Sequence, residues 1–104
     1  MKRTHLPLNG LRVLDAAARH LSFTRAADEL GLTPAAVSFQ IKEIEDQLGF
    51  KLFTRTSRTI RLTEAGTLLC EAAGEALDGM GRAVSKARKA ARGTAQLKVT
   101  LDPQ

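Results

Sequence analysis

Within four residues, Gly31-Leu32-Thr33-Pro34, this chain stops one helix and starts another. Gly31 offers the left-handed conformation that ends a helix. Thr33 offers a capping hydroxyl, and Pro34 follows at the first helical position, where a missing N–H costs nothing. Upstream, Phe23, Ala26, Ala27 and Leu30 form an apolar stripe behind Ser22, another capping residue. Downstream, Val37, Ile41, Ile44 and Leu48 share one helical face that ends at Gly49. Two short amphipathic helices joined this tightly must cross, and the small pair Ala26-Ala27 lets them cross closely. The pattern predicts a helix-turn-helix.

The second of these helices has another face. Ala35, Ser38, Phe39 and Lys42 recur at helical spacing away from the core stripe, and they are small, polar, aromatic and basic. A helix whose first turns carry such residues suits the major groove, where side chains reach base edges and N–H groups approach phosphate. An ordinary helical hairpin is the plainer reading of those residues alone.

The flanks add detail. Pro7 to His20 reads as a preceding helix, with Leu11, Leu14, Ala18 and Leu21 on its stripe. Leu52-Phe53-Thr54 and Ile60-Arg61-Leu62 read as two short strands around Arg55-Thr56-Ser57-Arg58, with Ile60 and Leu62 inward and Arg61 outward. This is a wing with arginines at its tip, although its turn lacks the Gly or Asn that tight hairpins favour. Thr63 then caps a helix expected to run to about Arg92. Leu69, Ala73, Ala76, Met80, Ala83, Ala87 and Ala90 alternate four and three apart along it, and Leu68, Leu77 and Val84 widen the stripe. Gly66, Gly74, Gly79 and Gly81 each cost such a helix roughly 1 kcal/mol against alanine, so packing against a second copy is expected to hold it. Gly93 is expected to end the helix, and Leu97-Lys98-Val99-Thr100-Leu101 alternates like a strand.

Charge supports a polyanionic partner by its distribution. The chain of 104 residues carries net charge +5, and ten of its sixteen bases but six of its eleven acids lie in residues 1–62. Between Lys51 and Thr63 there are four bases and no acid. A solvated loop would be the plainer reading of that run. Cys70 is the single cysteine, so no intrachain disulfide is possible, and it reads as a packed thiol in a reducing compartment. No apolar run approaches the roughly 18 residues of a membrane span. His5 and His20 lack metal-site spacing, and Glu64, Glu71, Glu75 and Asp78 read as a solvated helix face. No nucleophile–base pair or phosphate loop is present, so neither an enzyme nor a cofactor is expected.

The combined motifs resemble a known family. Ala16-Ala17-Ala18-Arg19-His20-Leu21-Ser22-Phe23-Thr24-Arg25-Ala26-Ala27, then Val37-Ser38-Phe39-Gln40-Ile41-Lys42-Glu43-Ile44-Glu45-Asp46-Gln47-Leu48-Gly49, then Leu52-Phe53-Thr54-Arg55 and Leu62-Thr63-Glu64-Ala65-Gly66 are similar to the N-terminal region of LysR-type transcriptional regulators. The opening, with Asn9 and Arg12, is most like the glycine-cleavage-activator subgroup, which includes the β-lactamase regulators. The resemblance implies a mainly α fold: a winged helix-turn-helix of three helices and a two-stranded wing, then a long dimerisation helix. It also implies base or backbone contacts from Pro34, Ala35, Ser38 and Phe39, and wing contacts from Arg55, Ser57 and Arg58. Thr33 and Lys42 are expected at phosphates. Pro34 stands where glutamine is frequent in the family, Phe39 where arginine or histidine is frequent, and Thr56 where glycine is. Phe39 is suited to a thymine methyl.

The expected organisation is a DNA-binding domain over 1–62, a dimerisation helix over 63–93, and the first strand of a further, effector-binding domain over 94–104. The expected dimer seam is Leu69, Ala73, Ala76, Leu77, Met80, Ala83, Val84 and Ala87. The expected partners are double-stranded DNA at a near-palindromic site and a second copy of the chain. A tetramer is open to the intact regulator, with a small-molecule inducer only for the further domain and no membrane. The expected setting is the bacterial cytoplasm. A helical scaffold without specific DNA binding is the alternative. It explains the long seam but leaves the exposed face and the basic wing without a purpose.

Overall fold

The computed structural model describes the backbone of residues 8–56 and 59–101, and the side chains of residues 9–56 and 59–93. Four helices and one hairpin follow in the order α1 (Leu8–His20), α2 (Phe23–Leu30), α3 (Pro34–Leu48), β1 (Phe53–Arg55), β2 (Ile60–Leu62) and α4 (Glu64–Leu101). The strands pair antiparallel, Phe53 with Leu62, Thr54 with Arg61 and Arg55 with Ile60. The fold is a winged helix-turn-helix followed by a long helix.

The caps form as their sequence requires. Ser22 Oγ accepts from Arg25 N at 3.2 Å, and Thr33 Oγ1 accepts from Ala36 N at 3.1 Å. Each satisfies one backbone donor that the first helical turn leaves unpaired. Gly31 (φ 71°) and Gly49 (φ 86°) adopt the left-handed conformation and return their N–H groups to Ala27 and Glu45 carbonyls. Leu21 ends α1 in the same region at φ 48° and is exposed, so it leaves the stripe on which its spacing placed it.

α1 is the centre of the domain, packed against α2, α3 and α4. That explains why Val13, Ala16 and Ala17 are buried beside Leu14 while Leu11 and Ala18 are only partly covered. A helix touched from three sides buries more than one stripe. On α3 the burial of Val37, Ile41 and Ile44 follows the expected stripe, with Leu48 at its edge.

Two surface ties hold α1 to α2. Arg19 donates to Asp15 at 3.0 Å and forks across both oxygens of Glu29, while His20 Nε2 meets Glu29 Oε1 at 2.8 Å. Arg19 first, then His20, stabilises the Glu29 carboxylate and lowers its pKa from 4.5 to about 2, and the Arg19 guanidinium is held protonated more firmly in return. A carboxyl depressed on folding contributes stability above its ordinary pKa and loses it as pH falls through the folded value. Glu29→Gln is therefore expected to lower the urea midpoint at neutral pH. The gap to the unsubstituted chain should close as pH drops from 4.5 toward about 2. The site is exposed, so added salt should narrow the gap. A gap independent of pH would show that the pair contributes only packing.

The wing turn closes without glycine because two threonines bridge it. Thr56 N donates to Thr59 O at 2.9 Å, Thr59 N donates to Thr56 Oγ1 at 3.0 Å, and the two hydroxyls meet at 2.7 Å. Ser57 and Arg58 lie outside the described residues. The first strand begins at Phe53, one residue later than its pattern suggests, because Leu52 turns wholly into the core.

α4 starts as expected and continues differently. Thr63 Oγ1 accepts from Gly66 N at 2.9 Å and donates to Lys51 O at 2.8 Å, and Thr63 N donates to Leu52 O at 2.9 Å. The helix then runs 38 residues, through Gly93 to Leu101, where a stop and a strand were expected. A strand there would need a neighbour to pair its backbone, whereas a helix satisfies those groups internally. Gly93 is not among the left-handed glycines, so its cost to the helix, about 1 kcal/mol, is borne without a break.

The expected seam also divides. Ala73 is 2% exposed and Cys70 is buried, with Leu69 packed beside them against α1. Leu69 and Ala73 thus belong to the chain's own core. α1 has 13 residues, roughly 20 Å at 1.5 Å per residue, so it covers only the first turns of a helix nearly three times as long. Past that cover Ala76, Met80, Ala83, Val84 and Ala87 are exposed, and Leu77 is half-buried. Burial, and then the nearby Asp15, push the Cys70 thiol up to about 11, so it is a packed thiol with little thiolate.

Candidate nucleic-acid interface

The two faces of α3 separate as the sequence suggests. With Val37, Ile41 and Ile44 in the core, Thr33, Pro34, Ala35 and Lys42 are exposed and Ser38 is half-buried. Phe39 is 63% exposed, a large aromatic held in solvent by a helix whose opposite side is fully packed. An isolated exposed aromatic is unremarkable by itself. This one sits among small and basic neighbours on the helix that the turn Gly31–Thr33 presents outward.

The wing meets this helix through Arg55. Its Nη2 donates to Ser38 Oγ at 3.0 Å, and its guanidinium carbon lies 4.7 Å from the centroid of the Phe23 ring. Phe23 in turn meets Phe53 edge to face, with centroids 5.6 Å apart and planes at 83°. One arginine thus touches the start of α2, the exposed side of α3 and its own strand. Beside it opens a groove of about 680 Å³ lined by Ser38, Lys42, Glu45, Lys51, Phe53, Thr54 and Arg55. Three cations edge this groove.

Glu45 is the acid at its floor and is 6% exposed. One of its oxygens accepts from Leu52 N at 2.7 Å and Phe53 N at 3.1 Å, and the other lies 3.8 Å from Lys51 Nζ. The carboxylate is therefore engaged with the chain entering the wing, and it fixes where β1 leaves α3. Sequence reasoning counted Glu45 only as one charge among many. Its position directly after Ile44, on the edge of the core stripe, was the signal that could have found it. Phe23 was likewise read as core alone, and its role as a platform for Arg55 depends on tertiary approach.

Among the described residues no three or more His, Cys, Asp and Glu side chains gather where a metal could be held. No helix is long and apolar enough to cross a membrane, again among the described residues.

Residues 8–67 match the family model for bacterial regulatory helix-turn-helix proteins of the lysR family. The chain belongs to the LysR family. One LysR-family relative, the glycine cleavage system transcriptional activator of Escherichia coli strain K12, is 70% identical over 60 residues, covering 58% of this chain and 20% of the relative. The HTH-type transcriptional activator AmpR of Pseudomonas aeruginosa is 58% identical over 69 residues, 66% of this chain and 23% of that protein. The chain thus spans about a fifth to a quarter of the length of these curated relatives. A crystal structure of the BenM DNA-binding domain with catB site 1 DNA superposes with TM-score 0.79 at 32% identity, covering 83% of this chain and 97% of that one. A complex of the CbnR DNA-binding domain with DNA gives TM-score 0.74 at 30% identity, covering 83% and 99%. The LysR match includes α1 to the start of α4, so the helix-turn-helix, the wing and the Thr63–Gly66 junction all fall inside it.

Proposed function

We propose that this chain is the DNA-reading module of a transcription regulator, binding duplex DNA as a symmetric dimer. The observation that carries this reading is the outward face of α3, where Phe39 is held in solvent beside Ser38 and Lys42. In this reading Pro34, Ala35, Ser38 and Phe39 meet base edges or backbone in a major groove. Thr33, Lys42 and the wing residues Arg55, Ser57 and Arg58 meet phosphate or the adjacent minor groove. The two solved relatives in complex with DNA, and the transcriptional activators among the sequence relatives, support it. The role is binding rather than catalysis, carried out in the bacterial cytoplasm.

The dimer surface of this proposal is the outer part of α4: Ala76, Leu77, Met80, Ala83, Val84 and Ala87. Met80 and Val84 are exposed large apolar residues on a helix that has passed beyond its own domain. Two such modules related by a twofold axis would read a near-palindrome with half-sites about 34 Å apart, or a multiple of that. Sensing a small-molecule inducer, and assembly to a tetramer, fall in this reading to the larger regulator.

Fluorescence-anisotropy titration tests it. Duplex recovered by selection from a randomised pool is expected to bind in preference to a scrambled duplex, with a log–log salt slope of roughly −0.9 per phosphate contact. Phe39→Ala should narrow the preference. Arg58→Ala should weaken binding to both duplexes alike and make the slope shallower. Absence of binding even at low salt would leave the helical-scaffold reading.

A further inference from the structure

The DNA-reading proposal places Ser38 at the nucleic acid, and the structure adds what kind of atom Ser38 would face there. A serine hydroxyl has one O–H donor and two acceptor lone pairs, and ordinarily it can meet either a donor or an acceptor. Arginine has donors only. The contact from Arg55 Nη2 at 3.0 Å therefore uses one lone pair of Ser38 Oγ and leaves its proton and its second lone pair. With a guanidinium already at the oxygen, a further donor meets a cation and an acceptor is favoured. Serines within a helix often spend that proton on the carbonyl one turn back. Thr67 does so, donating to Thr63 O at 3.1 Å, but among the described residues Ser38 makes no such bond.

Arg55 is held in place to do this. Its guanidinium lies over Phe23, and Phe23 is braced edge to face by Phe53, which belongs to the same strand as Arg55. The contact with the ring fixes the plane of the fork, so little freedom is lost when its donors are engaged. One guanidinium N–H meets Ser38, and others remain for an anion at the groove.

We infer that Arg55 is a positioning residue that biases Ser38 toward donating its hydroxyl hydrogen at the DNA, so that an acceptor is favoured opposite residue 38. Two sources have that chemistry: a phosphate oxygen, or an acceptor on a major-groove base edge such as purine N7, guanine O6 or thymine O4. The amino groups of adenine N6 and cytosine N4 would bring a second donor to an oxygen that already faces a guanidinium, and are disfavoured. The discrimination credited to α3 is in part set from the wing.

The test is a double-mutant cycle with Ser38→Ala, Arg55→Met and the double variant, methionine keeping apolar bulk over Phe23. Each variant is first checked for an unchanged urea midpoint, and any that shifts is replaced by Arg55→Gln or Ser38→Gly. Affinities are then measured on the selected duplex, on its singly substituted versions, and on versions with one phosphate at a time replaced by methylphosphonate. If the acceptor is a base, Ser38→Ala should flatten the preference at one position per half-site by about 3- to 10-fold. Arg55→Met should flatten the same position, and the double variant no further. If the acceptor is a phosphate, the penalty of one methylphosphonate should vanish in both single variants while base preferences stand. Arg55→Met weakening every duplex equally, with the Ser38-dependent position or phosphate intact, would overturn the inference and leave Arg55 a simple phosphate clamp. If the unsubstituted chain shows no preference among duplexes, the DNA-reading proposal itself fails, and this inference with it.

Discussion

Gly66→Ala is expected to destabilise the domain by about 3 kcal/mol, read as a lowered midpoint in urea unfolding with unchanged slope. Alanine should by itself favour a helix by about 1 kcal/mol over glycine. At this position the gain is overwhelmed. A Cβ built on Gly66 overlaps the carbonyl oxygen of Leu52 and stands 2.8 Å from its carbonyl carbon. That carbonyl cannot swing away, because it accepts from Thr63 N at 2.9 Å. Leu52 itself is fully buried, and its own N–H is held by Glu45. The contact is backbone against backbone, so no side-chain rotamer relieves it. Gly81, where a Cβ meets nothing within 4 Å, is the matched control, and Gly81→Ala should raise stability by up to about 1 kcal/mol. Equal stabilisation by both substitutions would rule out the close approach of α4 to the Leu52 carbonyl that leads into the wing.

The second large effect falls on the acid beneath the groove. Glu45→Ala is expected to cost about 3 kcal/mol, because two buried backbone donors, Leu52 N and Phe53 N, lose the carboxylate oxygen they share. The cost comes chiefly from leaving those donors unpaired. The outer contact with Lys51 at 3.8 Å is largely exposed on the lysine side and contributes little. Glu45→Gln keeps an acceptor in the same place and should recover more than half of the loss, which separates the hydrogen bonds from the charge. Hydrogen exchange at Leu52 and Phe53 is the local readout: their amides should be protected in the unsubstituted chain and lose protection in Glu45→Ala before the α1 core does. Equal exchange in both proteins would mean that the wing is anchored elsewhere. The variant should also loosen the groove, since Glu45 and the Arg55–Ser38 bond together tie the strand bearing Arg55 to α3.

These two predictions share a geometry. Glu45, Leu52, Thr63 and Gly66 form one junction where α3, the wing and α4 meet, and no two of them adjoin in sequence. It explains physically why the Leu62-Thr63-Glu64-Ala65-Gly66 segment is built as it is. Thr63 caps the helix and ties its first turn to Lys51, and Gly66 lets that turn settle against the carbonyl of Leu52.

Much of the fold was legible because it is locally encoded. Ser22, Gly31, Thr33 and Gly49 end and begin helices through bonds that reach only three or four residues along the chain, and Pro34 fits the first helical position without one. The stripe of α3 follows from the 3.6-residue period alone, and with it the exposure of Phe39. Charge along the chain likewise marked the basic wing. What the chain could not declare locally was decided by approach in space. Val13, Ala16 and Ala17 are core because three helices surround α1. Leu69 and Ala73 pack inward because α1 reaches those turns of α4 and no further, so a seam uniform in sequence is covered in its first turns and exposed beyond them. Residues 97–101 alternate like a strand, yet they join α4, where a helix pairs its own backbone groups. The contacts from Arg55 to Ser38 and Phe23 span 17 and 32 positions of chain, and the bond from Leu52 N to Glu45 reaches back across a turn. Periodicity and capping specify backbone direction within an element. Which side chains then share a groove depends on how the elements pack, and that is where the site of this protein is made.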